Sequence, residues 1–236
     1  MIVDSSLSSE SIHLLKLRGQ SDQEVSHFAD LLSDANEKIR QDISAKEILS
    51  DMNPNELALI QASAGLVDPI SVDALSNEGA INLLAQPDKK GMVDLNNDGL
   101  VEVGIAKSIV FPPVNAPESV RVAWEEATQG MSEKDKMVLQ LHMHTTVYGV
   151  HIDGIPTKQP LSPEAQWGKN GIEQLFEQLR SALDFSVAMD GWNRYNLLKQ
   201  GFFDQFEQAL GNSVSQAGAE SELSNGGGSE ELFAAI

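Results

Sequence analysis

At 236 residues, with 41% hydrophobic but only 6% aromatic residues, the chain has room for one large domain or two small ones. Such a core must rest mostly on Leu, Ile, Val and Ala. Against 16 basic residues stand 35 acidic ones, a formal charge of -19, which opposes binding to a nucleic-acid backbone and makes cation binding electrostatically easy. The plainer reading of the acidity is a solvated surface. With no cysteine, disulfides, zinc–thiolate centres and thiol nucleophiles are excluded.

The start, Met1-Ile2-Val3-Asp4-Ser5-Ser6, lacks a basic region followed by an apolar run, so no signal peptide is expected. No stretch approaches the roughly 18 apolar residues that span a membrane. The cytoplasm is the default compartment, and export without an N-terminal signal is the open alternative.

Residues 10–18 form a short helix candidate stopped by Gly19. Ser21-Asp22-Gln23-Glu24 is a capping box, in which the serine accepts an orphan amide and the glutamate reaches back. Val25, Phe28, Leu32, Ala35 and Ile39 follow at steps of three and four, one apolar helical stripe. Ser44-Ala45-Lys46-Glu47 and Asn53-Pro54-Asn55-Glu56 repeat the capping pattern, the second with proline at the first helical position. Gly65 is a natural end to that helix. Ser76 opens another short helix, closed by Pro87.

From Asp88 to Pro113 the texture changes. A polar, oxygen-rich loop is followed by the apolar, β-branched run Val101, Val103, Ile105, Ile109, Val110, Phe111. That run suits a short strand or a two-turn helix, and periodicity does not arbitrate at this length. Next comes a helix with Pro117 and Glu118 in its first turn, the stripe Val120, Ala123, Trp124, Ala127, and Gly130 at its end. Ser132 caps a longer helix whose apolar positions include Val138, Leu141, Thr145 and Tyr148. Residues 152–163 hold three prolines and no periodicity, and read as a linker.

Two strong helices follow. Ile172, Leu175, Leu179, Ala182 and Phe185 mark the first; Trp192, Tyr195, Leu198, Phe202, Phe206 and Leu210 mark the second. Asp190-Gly191 is the turn between them and Gly211 the expected stop. From 212 to 236 the chain is rich in Ser, Gly, Ala and Glu, a composition that predicts disorder, and it ends in the apolar Leu232-Phe233-Ala234-Ala235-Ile236. The expected architecture is mainly α, with orthogonal or bundle-like packing, a calcium-type loop and room for a β segment near 100–111. Its regions are 1–87, 88–151, a linker at 152–163, a helical hairpin at 164–211 and a tail.

One stretch reads as chemistry: Asp94-Leu95-Asn96-Asn97-Asp98-Gly99-Leu100-Val101-Glu102. Asp94, Asn96 and Asp98 supply oxygens at alternate positions, Gly99 permits a sharp turn, and Leu100 offers its carbonyl. Val101 anchors the loop to a core, and Glu102 contributes directly or through water. Over residues 94–105 this resembles an EF-hand loop. The resemblance implies Ca2+ as ligand, held by Asp94, Asn96, Asp98, Leu100 and Glu102. Ile105 stands where the family places a bidentate carboxylate, Gly104 precedes it, and Pro87 and Gly91 disfavour an incoming helix. Weak affinity follows unless Asp88 or a carboxylate of a neighbouring helix closes the site. The alternative is a metal-free Asx turn, since Asn-Asp-Gly is also a turn signal.

Other chemistry finds little support. His142, His144 and His151 do not converge on a helix and read as core or surface side chains. No nucleophile elbow, phosphate loop or dinucleotide fingerprint is present. Trp124, Trp167 and Trp192 read as core or interface anchors. The expectation is a non-enzymatic calcium binder, with protein partners reached through helical faces or the tail and with neither nucleic acid nor membrane as partner. The competing expectation is an acidic interaction or export-associated protein whose loop is a plain turn.

Overall fold

The computed structural model describes the backbone of residues 7–149 and 161–225, with side chains described up to residue 212. His151, most of the 152–163 linker and the last residues of the tail lie outside this description. The chain divides into two compact units, Met1–Asn115 and Ala116–Ile236. Among the described residues it is mainly helical, with one small antiparallel sheet. No described helix is long and apolar enough to cross a membrane.

The first unit contains α1 (Ser9–Leu17), α2 (Asp22–Arg40), α3 (Ala45–Asp51), α4 (Pro54–Ala64), a 3-10 turn (Val72–Ala74), α5 (Asn77–Leu83), β1 (Leu100–Val103) and β2 (Ala106–Ile109). Its helices begin where short polar side chains can accept orphan amides. Full capping boxes form at Ser21 with Glu24 and at Asn53 with Glu56. Ser44 and Ser76 cap α3 and α5 through one bond each. At the far end of α4, Gly65 takes the left-handed conformation, φ 73°, that closes a helix.

These helices bury Leu15, Phe28, Leu32, Ala35, Ile48, Leu49, Ile60 and Leu83 in a common core. Each large side chain there contributes roughly 1.5–3 kcal/mol. The stripe of α2 is narrower than its spacing suggests: Ile39 is exposed and Val25 only partly buried.

The ambiguous apolar run at 100–111 is a hairpin. Leu100 pairs with Ile109 and Val103 with Ala106, leaving Gly104 and Ile105 as a two-residue turn. Gly104 has φ 63°, as such turns demand. Ile105 sits at the tip and is exposed. The 94–102 loop thus runs into a strand, not into the outgoing helix of an EF-hand. The hairpin belongs with the N-terminal helices: the Gly104 amide donates to the Gly79 carbonyl of α5 at 3.0 Å. The division between units therefore falls after Asn115, whereas the sequence reading separates 1–87 from 88–151.

The second unit contains α6 (Glu118–Ala127), α7 (Glu133–Tyr148), α8 (Pro163–Gln166), α9 (Lys169–Asp190) and α10 (Arg194–Asn225). The stripe of α6 is as expected, with Val120, Ala123, Trp124 and Ala127 buried. Its partner is α10: the Trp124 ring meets Phe202 and Phe206 edge-on at 5.2 and 6.4 Å, and Phe176 of α9 lies 6.0 Å from Phe206. The buried residues are mostly aliphatic, as expected, and an aromatic cluster of Trp124, Phe176, Phe202 and Phe206 joins them in this unit.

Three further expectations need correction. The buried face of α7 is Leu139, Met143, His144 and Tyr148, while Leu141 is exposed. Apolar residues surround this helix, so its periodicity names no face. On α9 the buried residues are Leu175, Phe176, Leu179 and Leu183, with Phe185 exposed. Finally, α10 passes through Gly211 and its backbone stays helical to Asn225. A helical glycine costs only about 1 kcal/mol against alanine and does not by itself end a helix. The α9–α10 turn is tight, as expected, and Asn193 caps it by accepting from the amides of Tyr195 and Asn196 at 2.9 and 3.0 Å.

Two glycine substitutions should move stability in opposite directions. A Cβ on Gly79 would lie 2.1 Å from the Gly104 carbonyl oxygen. Gly79→Ala must therefore push the hairpin off α5, and urea melts should show a loss of about 1–3 kcal/mol or more. Gly201 is helical with nothing within 4 Å of its would-be Cβ. Gly201→Ala should stabilise by up to about 1 kcal/mol.

Candidate metal site

The Asp94–Glu102 loop is built around Asp94, which is 5% exposed. One Asp94 carboxylate oxygen accepts from the Gly99 amide at 2.8 Å and the other from the Asp98 amide at 3.2 Å. The Asn96 side-chain oxygen accepts from the same Asp98 amide at 3.0 Å. Oxygens of Asp94 and Asn96 thus meet at one backbone nitrogen. Asp98 completes the cluster: Asn96 Nδ2 donates to one of its oxygens at 3.0 Å, and the Leu100 amide donates to the other at 2.8 Å. Left-handed backbone at Asn97 (φ 55°) and Gly99 (φ 77°) produces this tight coil. From outside, Asn115 Nδ2 donates to the Asp94 carbonyl at 2.7 Å and to the Asn97 side chain at 3.3 Å.

Helix α5 grips the loop from behind. The buried Glu78 carboxylate accepts from the Leu95 amide at 2.8 Å and the Glu102 amide at 2.9 Å. Asn82, 1% exposed, donates to the Val93 and Glu102 carbonyls and accepts from the Val93 amide, all at 2.8 Å. These two residues lie four apart on one face of α5. Sequence reasoning missed both. The only available signal was a Glu and an Asn at that spacing in a helix otherwise bound for burial.

Of the five expected ligands, the structure gathers Asp94, Asn96 and Asp98. The Leu100 carbonyl lies at the start of β1, at the end of the coil. The Glu102 side chain is turned elsewhere. It pairs with Lys107 across the hairpin at 2.5 Å and accepts from the Ser76 hydroxyl, contacts that hold its carboxyl below the usual range. Asp88 is not the closing ligand either, since it accepts from the Ser8 hydroxyl at 2.5 Å and the Lys90 amide at 3.0 Å. The neighbouring-helix carboxylate nearest in role is Glu78, and both its oxygens are engaged with backbone amides. Among the described residues, no three acidic or histidine side chains are gathered as a ready metal set. Burial raises the Asp94 pKa, and the nearby charges of Asp98 and Glu78 raise it further, against the lowering effect of the Gly99 and Asp98 amides.

Among the described residues the histidines form no centre. In α7 the His142 ring stacks on Phe203 at 5.8 Å, and His144 lies buried beside Tyr148 at 5.2 Å. Burial, with a smaller effect of Lys199, lowers the His142 pKa to about 4. Comparison with protein-family models, curated proteins and solved structures returns no match.

A pH dependence follows from His142. In the unfolded chain it binds a proton near pH 6.5; in the folded chain it stays neutral down to about 4. Between these values the unfolded state holds more protons, so stability falls as pH falls through the window. His142→Phe keeps the ring contact and removes the titration. Thermal melts from pH 7 to 4 should show a shallower loss for this variant than for the native chain.

Proposed function

We propose that the chain is a non-enzymatic protein whose 94–102 loop binds Ca2+ weakly, as a structural staple between the loop and the hairpin. The observation that carries this reading is the convergence of the Asp94 and Asn96 oxygens on the Asp98 amide, with the Asp98 carboxylate alongside. All the donors are hard oxygens, which suit calcium and not the thiophilic or imidazole-seeking metals. The charge balance adds support. A buried carboxylate crowded by two others is relieved by a divalent cation more directly than by any basic side chain present, because Lys107 is committed to Glu102.

The site would take Asp94, Asn96, Asp98 and the Leu100 carbonyl as its loop ligands. Glu102 would join only by leaving Lys107. That competition, together with the exposed Ile105 where a bidentate carboxylate belongs in the resembling family, accounts for weak affinity. Nothing in the arrangement asks for a regulatory role, since the loop leads into a strand and no second loop of its kind is present in the sequence.

Thermal melting with calcium against chelator tests the reading. For a Kd near the weak limit of about 1 mM, calcium at about 10 mM should stabilise by about 1.4 kcal/mol and raise the melting temperature by roughly 3–6 °C. Asp94→Ala and Asp98→Ala should abolish the shift. Lys107→Ala, which frees Glu102, should tighten calcium binding in titration calorimetry. An unmoved melting curve at that calcium concentration would mean that the loop is a metal-free turn.

A further inference from the structure

The first unit contains a cavity of about 300 Å3, open to solvent beside the ends of α1 and α4. Its walls include Phe28, Leu66, Leu83 and Val103. The polar groups within it are already spent: the Asn82 amide holds the loop backbone, and the Ser63 hydroxyl accepts from Gln20 at 2.8 Å. No aspartate or glutamate lines it, although the chain carries 35 of them. Two cations do, Arg18 and Lys89.

Both cations have capacity to spare. The Arg18 guanidinium lies across Gly65 and donates one N–H to the Ser63 carbonyl. A guanidinium has five such donors. Lys89 takes a left-handed backbone, φ 69°, rare for a residue with a side chain and costing about 1–2 kcal/mol. The adjacent Asp88 is committed to Ser8 and Lys90. Among the described residues no carboxylate pairs with the Lys89 ammonium. Both residues are exposed while lining the cavity, and partial desolvation lowers the pKa of each side chain. Two cations thus border an apolar cavity that no carboxylate lines, in a chain of charge -19.

We infer that this cavity is a binding site for a small amphipathic monocarboxylate, its apolar tail between Phe28, Leu66, Leu83 and Val103 and its carboxylate between Arg18 and Lys89. The volume sets the size of the guest. At about 300 Å3 the cavity lies at the small end of ligand pockets, a size that suits a small guest such as a medium-chain acid. A sugar phosphate would leave the apolar walls unused, and an amine would face both cations.

Octanoate is a probe of this size. Calorimetry on the full chain should show saturable binding of one octanoate, with acetate, 1-octanol and octylammonium all markedly weaker. Lys89→Met removes one cation at the rim without breaking a side-chain hydrogen bond or ion pair among the described residues, and should weaken octanoate at least about tenfold, as expected for one charge-assisted contact. Ala106→Trp, from the exposed face of β2, should close the mouth and abolish binding while the melting curve stays cooperative. The inference is overturned by an absence of saturable octanoate binding, by octylammonium or acetate binding as tightly as octanoate, or by unchanged affinity in Lys89→Met.

Discussion

The first unit depends on a polar seam along one face of α5. Glu78, Gly79 and Asn82 meet the backbone of the 93–104 segment, which makes few backbone pairs of its own outside the short hairpin. Buried amides and carbonyls need partners, and each one left unsatisfied costs about 1–3 kcal/mol. Glu78 satisfies two amides, Asn82 two carbonyls and an amide, and Gly79 lets the Gly104 carbonyl approach to a distance that no Cβ would allow. A seven-residue helix thereby organises a loop and a sheet of about twenty residues. Its own stability comes from the opposite side, where Ala80, Leu83 and Leu84 enter the core.

The seam explains why the loop can hold acidic side chains so closely. The Asp94 carboxylate receives two amides and Glu78 receives two more, so each buried charge is met by backbone dipoles before any cation arrives. Amide donors favour the charged form of Asp94, yet burial, and after it the charges of Asp98 and Glu78, raise its pKa. Glu102 adds no charge to that group, because Lys107, directly opposite in the hairpin register, pairs with it. The same cross-strand pair that fastens the hairpin turns the Glu102 carboxylate away from the coil.

How far the sequence disclosed this structure depended on the range of each interaction. Helix starts were legible because a cap acts over three residues: Ser21 with Glu24 and Asn53 with Glu56 form the boxes their spacing announces. The Asp94–Gly99 coil was legible for the same reason. The hairpin was not, since four-residue strands fit either period and only the Gly104-Ile105 turn and the dock on Gly79 decide between them. In α7 and α9 the spacing pointed to Leu141 and Phe185, both exposed, because helices with apolar residues on several sides take their buried face from whatever packs on them. Least legible were Glu78 and Asn82, whose partners lie 11 to 24 residues away.

Electrostatics divides the first unit into two regions of opposite character, both bordering the same helix and hairpin. On one side, α5 presents Glu78 toward the Asp94–Asp98 coil. On the other, the cavity lined by Leu83 and Val103 carries Arg18 and Lys89 and no acid. Asn82 belongs to both, holding the loop through its amide while its side chain also borders the cavity. The two regions therefore differ in charge while sharing one helix and one hairpin as their frame. Tightening the loop reinforces the Asn82 contacts with Val93 and Glu102.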